Sequence, residues 1–141
     1  MKNGADALMK AAALQWLRQW EALINAQDFA RARSLFSQDV ISFGTFAEIL
    51  NGLDELEALQ WRTIWPTIAD FTFEETHVLV SEASPQIVTI VTLWRSKGKT
   101  KNAGWYDRKG RATLILKSED DRLRCIHSHL SMAPGIPPRE D

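Results

Sequence analysis

Between Ala5 and Asn25 the apolar residues Leu8, Ala12, Trp16, Leu17, Trp20, Leu23 and Ile24 recur every three or four positions, with Lys10, Gln15, Arg18, Glu21 and Asn25 opposite them. That period predicts a long amphipathic helix. Asp28 offers an N-cap oxygen to a short second helix whose inner side is Phe29, Ala32, Leu35 and Phe36. Val40-Ile41-Ser42-Phe43 is a brief strand candidate ended by Gly44, and Thr45 to Leu50 reads as loop or irregular strand. Asn51 and Asp54 resemble a capping arrangement for a third helix that carries Leu53, Leu56 and Ile64 on one side, Trp61 and Trp65 on the other, and stops near Pro66.

From Asp70 onward the period shortens to two. Strands are predicted over Asp70 to Glu82, Gln86 to Ser96, about Ala103 to Lys117, and Leu123 to Met132, an antiparallel meander. Glu82-Ala83-Ser84-Pro85, Lys97 to Asn102, and Ser118-Glu119-Asp120-Asp121 supply the turns. Phe71 and Phe73 share one parity and Val78 and Val80 the other, which predicts a bulge within the first long strand. Ile87 to Leu93 and Thr113 to Leu116 are apolar or Thr on both parities, so both faces of the sheet should be covered. Helices cover one face; a second copy of the chain is the economical cover for the other, which predicts a homodimer through the sheet.

The chain's 141 residues suit a single domain over 1–141, with an ordered core at about 5–132 and a Pro-rich, mobile tail at 133–141. Lys plus Arg number 17 against 18 for Asp plus Glu, so no net basic field exists to hold a nucleic-acid backbone. Cys125 is the single cysteine, which excludes an intrachain disulfide and favours a reducing compartment. The first residues lack an uninterrupted apolar run suited to a signal peptide or membrane span. The expectation is a soluble cytoplasmic protein without a membrane partner.

Candidate chemistry gathers on the late strands. His127 and His129 are two apart, so a regular strand turns both imidazoles to one face, where either could transfer a proton near neutral pH. The plainer reading is a hydrogen-bonded pair in a polar pocket or interface. Arg111 sits among apolar strand residues and needs an acceptor, either an anionic or carbonyl-bearing ligand or a carboxylate such as Asp107 or Glu75. Trp94, Trp105 and Tyr106, with Asp107 beside them, suit a pocket wall or interface. A metal at the His-x-His pair would need a third ligand from His77, Glu75 or Asp107; no metal motif, phosphate loop, dinucleotide fingerprint or nucleophile elbow occurs, and no cofactor is expected.

Phe43-Gly44-Thr45, Asn51 to Leu56 leading to Gln60-Trp61, Gly110 to Thr113, and His127 to Ser131, in this order of elements, resemble the nuclear transport factor 2-like superfamily and most closely its SnoaL-like branch. The resemblance spans nearly the whole chain. It implies an α+β cone, three N-terminal helices packed on a curved, mostly antiparallel sheet around a pocket. Members include ketosteroid isomerases, polyketide cyclases, epoxide hydrolases and dehydratases, and also noncatalytic association domains, so the fold implies a pocket rather than a reaction. Isomerase-type members use an acidic base near the first strand with a tyrosine and a protonated acid; here that region offers only Asp39, and the sole tyrosine, Tyr106, lies in a late strand. The resulting expectation is a small-molecule-binding domain with His127, His129 and Arg111 as the polar groups of an apolar pocket, and acid/base chemistry on a carbonyl-bearing or anionic ligand. Its rival is a noncatalytic association module.

Overall fold

The computed structural model describes residues 2–102 and 104–135. Helix α1 (Lys2–Ala26) buries Trp16, Leu17, Trp20 and Ile24 of the predicted stripe, with Ala13 in place of Ala12; Leu23 is only half-buried and Leu8 at the far end stays exposed. Its polar flank has a structural task. Asn25 receives the Phe71 N–H at 2.8 Å and donates to the Phe71 carbonyl at 2.9 Å, Glu21 receives the Phe73 N–H at 2.8 Å, and Arg18 donates to the Phe73 carbonyl. Side chains of α1 thereby satisfy an edge strand that has no further strand beside it. Asp28 caps α2 (Phe29–Arg33) by receiving the Arg31 N–H, as expected.

The chain then forms β1 (Phe36–Phe43) and β2 (Ile49–Asn51), the latter emerging from the segment read as loop or irregular strand. The third helix, α3 (53–67), is a composite: Leu53–Glu55 and Arg62–Ile64 are α-helical, Leu56–Trp61 is a π turn, and Trp65–Thr67 is 3₁₀. The π turn corrects the predicted division of its faces. Its extra residue re-phases the helix so that Leu56, Gln60, Trp61, Ile64 and Trp65 are all buried together. Asn51 and Asp54 do not cap it; Gly52 occupies the N-cap and the Glu55 carboxylate reaches back to the Asn51 N–H at 3.0 Å.

The remaining strands are β3 (Ile68–Phe73), β4 (Leu79–Ser84), β5 (Ile87–Lys99), β6 (Trp105–Glu119) and β7 (Arg122–Met132). The expected bulge between Phe73 and Val78 is instead a full break, a 3₁₀ turn at Glu75–His77 that separates β3 from β4. Both then pair with successive stretches of β5. The sheet order is β2-β1-β7-β6-β5-β3, with β4 also on β5; only the β1–β7 pairing is parallel. Asp120 and Asp121, both at positive φ, make the tight turn between β6 and β7. This is the α+β cone with helices on one face of a curved, mostly antiparallel sheet. The expected mobile tail falls chiefly on 136–141, outside the described residues; Ala133 still donates to the Lys109 carbonyl.

Candidate functional site

Which side chains enter the space between helices and sheet is decided by strand parity, and parity on β7 is not regular. Leu116 of β6 pairs with Cys125, but Ile115 pairs with His127, so Ile126 is an extra residue. The bulge reverses the alternation. Cys125 faces the core, and after it Ser128 and Leu130, not the histidines, face inward. His127 and His129 lie on the outer face, where His127 Nδ1 is 2.8 Å from the Ile41 carbonyl and both rings pack against Phe43. This corrects their expected placement in the pocket. Cys125 and His127 accordingly lie on opposite sides of the strand.

On β6 the inward positions run Leu116, Leu114, Ala112, Gly110, Arg108. Arg111 therefore faces outward and is exposed, and neither proposed carboxylate pairs with it: Asp107 is bound to Lys97 and Glu75 to Arg18. Asp107 and Trp105 also face outward, with Trp105 54% exposed. Tyr106 shares the parity of Arg108 and lies over Gly98, where a Cβ would come within 2.6 Å of its ring. Trp94 enters the interior, the pocket-wall alternative of its reading, and not an exposed interface. Gly110 opposite it is required, because a Cβ there would stand 2.0 Å from the Ser131 carbonyl and 2.5 Å from the Trp94 ring.

The space so bounded is a hollow of about 470 Å³, its open mouth included. Trp20, Trp61, Trp65, Phe71 and Trp94 form its walls, with Trp61 and Trp65 stacked at 4.9 Å and Phe71 stacked on Trp94 at 5.4 Å. Its polar points are Thr45, Gln60, Arg108 and Ser128. The rings nearly close on one another, so the hollow as it stands admits only water-sized groups.

Four buried side-chain polar atoms lack a hydrogen-bond partner among the described residues, and three of them, Trp20 Nε1, Thr45 Oγ1 and Gln60 Oε1, belong to residues lining this hollow. Unsatisfied polar atoms are rare in native interiors because each forfeits its hydration. Gln60 is held there by two local devices: the π turn aims it inward, and Gly44 leaves room for its amide, since a Cβ at that position would stand 1.9 Å from Oε1. Ser128 is fixed by a 2.7 Å hydrogen bond to Ser42.

Arg108 is the feature the sequence reading missed. It is only 3% exposed, its guanidinium lies 5.1 Å from the Trp94 ring, and Nη1 donates to Ser96 Oγ at 3.0 Å. Burial lowers its pKa, an effect that Tyr106 opposes. Counting back by twos from Leu116, Leu114 and Ala112 would have placed Arg108 inside and Arg111 outside. Nearer the surface Arg33 and Arg62 flank Glu57; the Arg33 hydrogen bond, aided by Arg62, holds its carboxyl below the usual range despite partial burial.

The outer face is apolar for so open a surface. One cross-strand row runs Leu79, Val91, Thr113, His129, Phe43, Ile49, and Ile41 and Leu93 flank it. Six of these eight, Leu79, Val91, Phe43, Ile49, Ile41 and Leu93, are exposed large hydrophobics. Burial pushes the Cys125 thiol pKa far up, so it is not a thiolate at neutral pH. Among the described residues no cluster of three metal-binding side chains forms, and His77 stands near Glu74 instead. No helix there is long and apolar enough to cross a membrane.

Comparison with known proteins places this geometry. A ketosteroid isomerase-like protein from Erwinia carotovora atroseptica superposes with a TM-score of 0.73 at 18% identity, covering 94% of this chain and 96% of that one. A nuclear transport factor 2-like superfamily protein from Salmonella enterica gives 0.76 at 14% identity, with 93% and 96% covered. The association domain of C. elegans CaMKII gives 0.72 at 12% identity, with 90% and 98% covered. At such identities the likeness establishes the cystatin-like, nuclear transport factor 2-like fold. No curated protein matches the sequence. The SnoaL-like domain family matches residues 13–135, nearly the whole described chain, and the protein belongs to that family.

Proposed function

We propose that this chain is a small-molecule-binding domain whose site is the aromatic hollow between α1, α3 and the sheet. The observation that supports this most is the concentration of orphaned buried polar atoms, Trp20 Nε1, Thr45 Oγ1 and Gln60 Oε1, around one concavity. A ligand with its own donors and acceptors would satisfy them, and the indole walls would cover its apolar body. The groups lining the hollow are a guanidinium, a carboxamide, hydroxyls and an indole N–H, which hold and polarise a ligand rather than exchange protons with it at neutral pH. Binding is therefore the leading reading, ahead of the acid/base chemistry expected of His127 and His129. Titrating the protein with small planar aromatics while following tryptophan emission tests it. Saturable quenching that disappears on filling the hollow, as in Ser128→Leu, supports the reading, and an unchanged signal with every aromatic contradicts it.

The second reading, self-association, is favoured by the outer row of exposed Ile41, Phe43, Val91 and Leu93. A second copy placed sheet against sheet would bury these residues together with His127 and His129, consistent with the association domain among the structural neighbours. The two roles are compatible, because the row lies on the face opposite the hollow except at Phe43, which borders both. Sedimentation would detect the dimer.

A further inference from the structure

We infer that the ligand of the hollow is an aromatic carboxylate whose acid group is held by Arg108. The inference rests on the reading of the hollow as a ligand site. Its own observation is an ion without a counter-ion. Arg108 lines the hollow at 3% exposure, its described partners are the neutral Ser96, Tyr106 and Met132, and no acidic side chain among the described residues pairs with it. Four other arginines have carboxylate partners: Arg18 has Glu21 and Glu75, Arg31 has Asp28, Arg33 has Asp54 and Glu57, and Arg62 has Glu57; Arg95, Arg111, Arg122 and Arg124 have none among the described residues but are not buried.

A guanidinium stays charged in a protein, so burying one without an anion is a standing cost. Such a cost is tolerated where the charge is used. The Arg108 guanidinium lies near Trp94, whose ring also stacks with Phe71. A planar ligand must part these rings to enter, since the hollow as it stands admits only water-sized groups; once between them it would bring a substituent towards the fork, and a carboxylate matches that fork in shape and in single charge. A phosphate monoester carries nearly twice the charge, and the hollow's lining holds no second cation to meet it.

The test is calorimetric titration of the full chain with benzoate, benzamide and phenyl phosphate, on the natural protein and on Arg108→Met. Benzoate should bind about tenfold or more tighter than benzamide, and Arg108→Met should erase the preference. Equal binding of benzamide, or tighter binding of phenyl phosphate, overturns the carboxylate while leaving the hollow as a site. Failure of all three aromatics overturns both readings.

Thermal stability without ligand gives an independent check. If Arg108 is kept for a ligand, Ser96→Ala/Arg108→Met removes a costly charge and its hydroxyl partner, and the melting temperature rises by about 2–4 °C. A fall, or failure to fold, would make Arg108 a structural group and overturn the inference.

Discussion

The two faces of β5 are nearly equal in hydrophobicity and opposite in fate. Val88, Ile90, Thr92 and Trp94 are sealed by the helices, whereas Thr89, Val91 and Leu93 alternate with them and remain open or half-open. A strand apolar on both sides needs two covers, and a single chain supplies one. The polar groups differ in the opposite sense. The inner face holds a guanidinium and a carboxamide among indoles, where their hydrogen-bonding capacity is magnified, and the outer face holds imidazoles and cations in water, where it is diluted. Inside, the unfinished business is polar and fits a small ligand; outside it is apolar and fits a macromolecular surface.

Two tryptophans one strand apart give the widest separation. Trp94→Ala should lower stability by about 3–5 kcal/mol, because the buried indole leaves a cavity among Phe71, Phe73 and Gly110, whereas Trp105→Ala should stay within about 0.5 kcal/mol. Urea unfolding of the two variants measures the contrast, and similar losses would erase the distinction between the faces. Next in size is an outer-face charge: Val91→Lys should weaken self-association by about tenfold or more while leaving the monomer folded, as read by sedimentation equilibrium and circular dichroism. A dimer untouched by that change would place the interface elsewhere.

Smaller effects sharpen the inner face. Ser42→Ala removes the partner of the buried Ser128 hydroxyl and should cost about 1 kcal/mol. Glu57→Gln should also cost about 1 kcal/mol at neutral pH, and its pH dependence has a fixed sign. Folding lowers the Glu57 pKa, so the unfolded chain takes up the proton first. The stability is complete above the unfolded value of about 4.3 and fades as pH falls through the lower folded value. The variant and the natural protein should therefore converge in acid; a gap that persists there would show that packing rather than charge was lost.

The same contrast explains what was legible in the sequence. The period of α1 and the Asp28 cap are local signals, and the order of elements sufficed for the fold and family. Trp94 was legible because β5 alternates without interruption. His127 and His129 were misplaced because one extra residue, Ile126, inverts every later side chain on β7, and nothing in Cys125-Ile126-His127 marks a bulge. Arg111 was taken as the inward guanidinium and Arg108 was not considered, although the Ala112-Leu114-Leu116 parity pointed to Arg108. Gln60 stood in the resemblance but not in the chemistry, since only the π turn brings it beside Trp61 and Trp65.

The most direct measurement of the central claim is a two-dimensional spectrum of the indole N–H groups during titration with benzoate. Binding in the hollow should move the signals of Trp61, Trp65 and Trp94 along one saturable curve and leave Trp105 still. Movement of Trp105 alone, or no movement at saturating concentrations of benzoate and its neutral amide, would contradict it.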